Sequence, residues 1–320
     1  MIPPGFVSFS GGFSKLLIML TVAFPTYSNQ QIIHIALEGL CRQKDSPDWE
    51  LIILECSSMN EVGGKVIKQY AERLKKANCK KIKYIYSQKK LALNHKWIEI
   101  AKNAEGEVFC LQASDDYPHP ERNKLAYEAI AEKNNDWYDC SRYYSYHIGL
   151  NKLVLFNNFE SKEWKTGFDI SVKTEAVKNI KPGKELKSGV DFWLYENIKP
   201  EKKQRDNKLY RGVSTTGLNT VSLRRERYFQ KTTFPFQPTS TRLETINLPK
   251  SSVELIKSMK QHIDINKKPI WTVKFKKQFH GRHKGQILKV NYNTMNHLFM
   301  HHAIDVIRDK PFEENFEIKL

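Results

Sequence analysis

Apolar residues in the first half of the chain fall into two alternating patterns, short unbroken runs and helix-spaced stripes. Leu16–Pro25 is such a run and predicts a first strand. The following Thr26-Tyr27-Ser28-Asn29 predicts a turn whose Ser or Asn caps a helix over Gln30–Cys41, with Ile32, Ile33, Ala36 and Leu40 at helical spacing. Glu50–Glu55 reads as a second strand, continuously apolar as a strand covered on both faces must be. A polar-faced helix over Asn60–Lys76, a strand over Ile82–Tyr86 and a helix over Leu91–Lys102 continue the series. The short run Phe109–Leu111 then leads into Asp115 and Asp116. Four alternations of strand and helix predict an α/β fold, with a Rossmann-like, mostly parallel sheet flanked by helices and joined by right-handed crossovers.

The pattern changes after a helix predicted over Lys124–Glu132. Trp137–His147 and Lys152–Phe156 read as longer strands, joined by Ile148-Gly149-Leu150-Asn151 in the manner of a hairpin. Residues 160–200 hold Thr166-Gly167-Phe168-Asp169-Ile170-Ser171 and Gly189-Val190-Asp191-Phe192-Trp193-Leu194-Tyr195. From about 200 the chain turns basic, with helical spacing over Ser252–Ile263 and Met295–Ile307. We therefore expect a leader over 1–15, an α/β domain over 16–200, and a basic C-terminal extension or small second domain over 201–320.

Charge sharpens that division. The 320 residues carry 52 Lys/Arg against 35 Asp/Glu, a net +17, which calls for an anionic partner. Residues 201–320 hold 24 Lys/Arg and 11 Asp/Glu, so 13 of the excess positive charges lie there. Trp271–Tyr292 interleaves cations with aromatic rings, a composition suited to nucleic acid or to an anionic lipid surface. His297, His301 and His302 have helical spacing, but no Cys or carboxylate pair nearby completes a metal site. Cys41, Cys56, Cys79, Cys110 and Cys140 are scattered and odd in number, which fits a reducing compartment. Leu16–Phe24 is too short to cross a bilayer, which takes about 20 residues, and it lacks the flanks of a signal peptide.

The chemistry centres on Asp115-Asp116. In an open α/β sheet ligands bind beyond the carboxyl ends of the strands, and this strand delivers two carboxylates there. Adjacent carboxylates repel unless a cation compensates, and a hard divalent ion completed by phosphate oxygens does so. The plainer alternative is an acidic loop in which Asp115 caps the next helix. Asp191 has the same two readings, helix cap or reactive carboxylate.

Several motifs in order carry a resemblance. A first strand ends Pro-Thr-Tyr-Ser-Asn, and a second ends in an acidic residue before Cys-Ser-Ser. Ala-Glu-Gly-Glu precedes a strand ending Ala-Ser-Asp-Asp, and Gly-Val-Asp-Phe-Trp follows downstream. Over roughly residues 17–200 this resembles a family 2 glycosyltransferase of the GT-A fold. The resemblance implies inverting transfer of a sugar from a nucleotide-diphosphate donor, with Mg²⁺ or Mn²⁺ and with a UDP-sugar favoured. Pro25, Thr26, Tyr27 and Glu55 would hold the base. Asp115 would hold the ribose, Asp116 the metal, and Asp191 would deprotonate the acceptor hydroxyl.

This chain departs from the family pattern at two positions, Cys56 beside Glu55 and Ser114 before the two aspartates. Asn94 is read as surface polarity, Lys96 as a phosphate contact and Asp169 as the next carboxylate to test. Phe192 and Trp193 are read as apolar surroundings for Asp191. The expected acceptor is a glycan or lipid-linked saccharide, used at the cytoplasmic side with the basic region against an anionic surface. A viral-type enzyme acting on modified bases of DNA in the host cytoplasm, or an inactive GT-A binding module, are the alternatives.

Overall fold

The structure, a computed structural model, describes residues 19–26, 33–56, 66–87, 91–140, 142–147, 152–157, 169–186 and 189–206. Beyond these it describes the short stretches 213–216, 236–238, 250–251, 253–254, 271–275, 283–290, 304–306 and 316–319. The first strands are β1 (Leu20–Thr26), β2 (Trp49–Cys56), β3 (Cys79–Ser87), β4 (Val108–Leu111) and β5 (Asp116–Tyr117). Between them run α1 (Ile33–Leu40), α2 (Ile67–Lys76) and α3 (Leu93–Lys102). Next come α4 (Arg122–Tyr127), which runs on into a π-helical turn over Glu128–Glu132, then β6 (Trp137–Cys140), β7 (Arg142–His147), β8 (Lys152–Asn157) and β9 (Ser171–Lys173). They are followed by α5 (Thr174–Lys178), α6 (Val190–Ile198), β10 (Lys203–Asp206), β11 (Val213–Thr216) and β12 (Phe236–Pro238). The remaining strands are β13 (Trp271–Phe275), β14 (Ile287–Val290), β15 (Ile304–Val306) and β16 (Phe316–Lys319).

Eight strands form the main sheet in the order β10-β6-β9-β4-β1-β2-β3-β16. The pairs β1/β2, β1/β4, β2/β3 and β6/β10 are parallel, while β9 and β16 run against their neighbours. Helices cover both faces, which is why β1 and β2 carry the unbroken apolar runs Val22–Pro25 and Leu51–Leu54. Leu20, Val22, Phe24, Leu51 and Ile53 join the cluster that includes α1, α2 and α4. Ala23, Ile52, Leu54 and Cys56 join the opposite one, built with α3, α5 and α6. The predicted α/β fold with a mostly parallel sheet between helices is therefore what forms.

At the amino-terminal edge of this sheet Glu50 closes the turn before β4. Its Oε1 accepts hydrogen bonds from Thr21 Oγ1 (2.7 Å), Glu105 N (2.6 Å) and Gly106 N (3.3 Å). Gly106 sits so close to β1 that a Cβ there would lie 2.5 Å from the Leu20 carbonyl carbon. Burial pushes the Glu50 carboxyl above its ordinary range, and its three donors pull the other way.

Several sequence expectations change. Trp137–His147 is two strands, since β6 belongs to the main sheet and β7 to a five-stranded sheet ordered β12-β8-β7-β11-β5. The β7/β8 hairpin forms as expected. Residues 304–306, placed in a helix by their spacing, are strand β15 against β13 in a three-stranded sheet. Strands past residue 200 pair across the expected boundary: β10 with β6, β11 with β5 and β7, β12 with β8, and β16 with β3. The basic region is thus distinct in composition; β10, β11, β12 and β16 share the sheets of the first 200 residues, while β13, β14 and β15 form a sheet of their own. The leader, His297, His301 and His302 lie outside the described residues, as does most of Ser252–Ile263. No disulfide joins the five cysteines, and no described helix is long and apolar enough to cross a membrane.

Candidate active site

Parallel register brings the carboxyl ends of β1, β2 and β4 to one edge, with Thr26 opposite Glu55 and Ala23 opposite Leu111. Because α3 returns antiparallel to the strands, its first turn lies at that edge too. Lys96 is buried there and donates from Nζ to the Thr26 carbonyl at 2.6 Å. Asn94, fully buried, donates from Nδ2 to Lys184 O (3.1 Å) and accepts from Leu186 N (3.3 Å). A ring nitrogen of His95, Nε2, lies 2.9 Å from Gly183 O. One turn of α3 therefore ties the end of β1 to the segment that leads into α6. That segment ends at Gly189, whose φ of 70° is a left-handed geometry glycine adopts freely, and Asp191 follows in the first turn of α6. Thr26, Glu55 and the Asp115-Asp116 turn thus follow the carboxyl ends of β1, β2 and β4, and the clasp from α3 holds the approach to the helix that carries Asp191.

The aspartate turn is braced from within. Gln112 Nε2 donates to Ala113 O (2.8 Å) and to Asp116 O (2.9 Å), spanning the turn. The Gln112 Oε1 accepts from Arg122 Nη1 (3.3 Å), and Arg122 Nη2 donates to Leu111 O (2.6 Å). Arg122 is fully buried, and its Nε lies 3.3 Å from Asp169 Oδ1, an ion pair by distance whose N–H is not aligned for a hydrogen bond. Burial pushes the Asp169 carboxyl up to about 6, with the Arg122 charge pulling it back. Asp115 and Asp116 themselves are half-buried, and Asp116 pairs with Ser214 of β11.

Pro25 and Thr26 are buried at the end of β1, while Tyr27 lies outside the described residues. Glu55 is buried and accepts a hydrogen bond from Tyr84 (2.9 Å). Cys56 faces away from it, because successive strand residues point to opposite faces, and packs with Ala23, Leu54 and Trp97. The departure at position 56 is therefore core packing. Ser114 is buried within the turn.

Three further expectations are corrected. Asn94 is a buried clasp, not surface polarity. Lys96, expected to touch phosphate, is buried at the carboxyl edge with one N–H on the Thr26 carbonyl. Asp169 is buried against Arg122 and unsuited to reach an acceptor. Phe192 is 55% exposed and forms no apolar wall for Asp191, whereas Trp193 packs on the core beneath α6.

Among the described residues no group of three or more His, Cys, Asp or Glu could hold a metal by itself. Asp115 and Asp116 offer oxygen donors only, at a half-open turn. That set fits Mg²⁺ or Mn²⁺ with phosphate oxygens supplied by a ligand, and no softer ion. Sequence reasoning missed Arg122 and Gln112; the one available signal was a polar Gln directly after an apolar strand.

Residues 21–173 match the family model Glycosyl transferase family 2, which supports an enzyme of sugar transfer; Glu55, Asp115 and Asp116 fall within the match and Asp191 beyond it. Among solved structures the chain is similar to S. aureus TarS at 20% identity and a TM-score of 0.49. That likeness covers 62% of this chain and 37% of the other, so the chain spans little over a third of that protein's length. It is similar to S. aureus TarS 1-349 in complex with UDP-GlcNAc at 17% identity and TM-score 0.48, covering 76% and 72% of the two chains. The mannosyltransferase PcManGT from Pyrobaculum calidifontis, in complex with GDP-Man and Mn²⁺, is similar at 12% identity and TM-score 0.46, over 75% and 69%. No curated protein matches the chain at a significant level.

Proposed function

We propose that the chain is a glycosyltransferase that moves a sugar from a nucleoside-diphosphate donor, a UDP-sugar for preference, onto an acceptor hydroxyl with inversion. The observation that carries this reading is the half-exposed Asp115-Asp116 turn, held at the carboxyl edge of a parallel sheet within the residues that match the family. Pro25, Thr26 and Glu55 line the same edge as the donor's base would require, and Asp115 takes the ribose. Asp116 holds the divalent ion, which when bound neutralises charge developing on the leaving diphosphate.

Inversion needs a proton acceptor on the face opposite that leaving group. Asp191 has the role: it takes the hydroxyl proton as the acceptor oxygen bonds to the anomeric carbon and the bond to the diphosphate breaks. Asn94 orients the segment carrying Asp191, and Lys96 fixes the end of β1 against it.

The acceptor is a glycan or lipid-linked saccharide. The 13 excess positive charges of residues 201–320 suit an anionic acceptor or the surface that carries it. A screen of nucleotide sugars for Mn²⁺-dependent donor hydrolysis tests the reading. Release of nucleoside diphosphate from one donor class, lost with EDTA, is the expected result. No release from any donor, with saccharide acceptors present, would refute it. Stimulation by duplex DNA would move the acceptor to modified bases.

A further inference from the structure

We infer that Arg122, acting through Gln112, is a positioning residue for the Asp115-Asp116 turn, and so sets the affinity of the site for a metal-bound nucleoside diphosphate. The inference rests on the function proposed above. A guanidinium taken wholly out of water is strongly unfavourable unless its donors are met, and an apolar side chain would fill the start of α4 without that penalty. Arg122 is nevertheless among the largest fully buried side chains in the molecule.

Its planar fork is spent on three partners from three places. Nη2 donates to the Leu111 carbonyl at the last residue of β4, Nη1 donates to Gln112 Oε1, and Nε faces Asp169 beside β9. The second contact has a directional consequence. An amide whose oxygen accepts from a guanidinium must present its NH₂ at the other side. The NH₂ of Gln112 is thereby left to reach Ala113 O and Asp116 O, the two carbonyls that bracket Ser114 and Asp115. Turned the other way, the amide oxygen would face two carbonyl oxygens. The charge on Arg122 thus dictates the orientation of Gln112, and Gln112 closes the turn that presents both carboxylates.

Asp169 completes the chain from the far side. Its φ of 52° is an uncommon geometry for a residue other than glycine, and it sets the carboxylate against Arg122. Lysine at 122 would keep the charge but lose the fork, satisfying one acceptor where arginine satisfies two.

The test measures binding of UDP, and separately of GDP, with Mn²⁺ and with EDTA. It compares the parent with Arg122→Lys and Gln112→Met, and records each protein's unfolding midpoint. The expected result is a loss of about tenfold or more in the Mn²⁺-dependent part of nucleotide affinity in each folded variant, with the metal-free part little changed. Should Arg122→Lys fail to fold, Gln112→Met, a change of similar size that leaves the guanidinium in place, decides alone. Parent-like Mn²⁺-dependent affinity in folded Gln112→Met overturns the inference. Equal losses with and without metal also overturn it, because the pair would then be only a packing element. A parent that binds neither nucleotide with Mn²⁺ refutes the function proposed above, and this inference with it.

Discussion

Strand β2 carries a buried glutamate near each end, and the two have opposite fates. Glu50, at the amino edge, is wrapped by a hydroxyl and two backbone N–H groups of its own chain, so its acceptor capacity goes into closing the turn at Gly106. Glu55, five residues on, meets Tyr84 and lies at the edge where Thr26 and the Asp115-Asp116 turn follow their strands. Both are fully buried. What separates them is which ends of the strands they accompany. At the amino edge turns are tight and backbone donors point inward to a carboxylate. At the carboxyl edge the connections open out and leave acids half-exposed for a ligand.

That contrast predicts separable phenotypes, and the largest belongs to the carboxyl edge. Asp191→Asn should keep nucleotide affinity and lose roughly 10²–10⁴-fold in turnover, since in the proposed function it removes only the proton acceptor. Steady-state rates within a few-fold of the parent would take the role from Asp191. Asp116→Asn comes next. It should cost nucleotide affinity in Mn²⁺ by at least the roughly 10–100-fold typical of losing an outer-shell partner, with the fold intact by circular dichroism.

The amino edge should behave in reverse. Gly106→Ala forces a Cβ against the β1 backbone and should cost about 1–3 kcal/mol in urea unfolding, with turnover per folded molecule unchanged. A fall in turnover as large as its fall in stability would dissolve the distinction between the two edges.

The smallest effect is a slope. Asp169 holds its proton more tightly when folded, up to about 6 against an ordinary 3.8, because it is buried. Its contribution to stability is therefore full below about 3.8 and is lost as pH rises through about 6. Unfolding free energies of parent and Asp169→Asn, compared from pH 4 to pH 7, should differ by this slope. Parallel curves would mean that Arg122 keeps Asp169 ionised throughout.

The sequence revealed most where one local rule governs. Strands β1, β2 and β4 were legible because both faces of the sheet are covered, and continuous apolar runs record that directly. The break between β6 and β7 was not legible. Tyr138 to Tyr144 has no Gly or Pro to mark a change of sheet, and both strands are aromatic-rich. Nor did basic composition mark an edge, since strand pairing uses backbone groups and is indifferent to net charge.

At the site, the acids were legible as types and the residues that hold them were not. Asn94, Lys96 and Arg122 look like ordinary surface residues until folding supplies their partners. Those partners are mostly backbone carbonyls, 90, 70 and 11 positions away in the chain. A carbonyl has no signature in the sequence, so a polar side chain that seeks one is invisible until the topology is known.

Strand β16 has a consequence for how the molecule is made. It pairs with β3 through Phe316 opposite Tyr84, 232 positions earlier, and so seals one margin of the main sheet only after the residues between them have been made. Until it arrives, a nascent chain with β1, β2 and β3 already assembled presents a row of unpaired backbone groups, a template for another copy. The sequence of β3, Cys79-Lys80-Lys81-Ile82-Lys83, places three lysines on that margin, the side chains that most discourage edge-to-edge association. A chain shortened before Phe316 should associate more readily as salt screens those charges, measurable as light scattering against ionic strength. With β16 in place, scattering should stay flat over the same salt range.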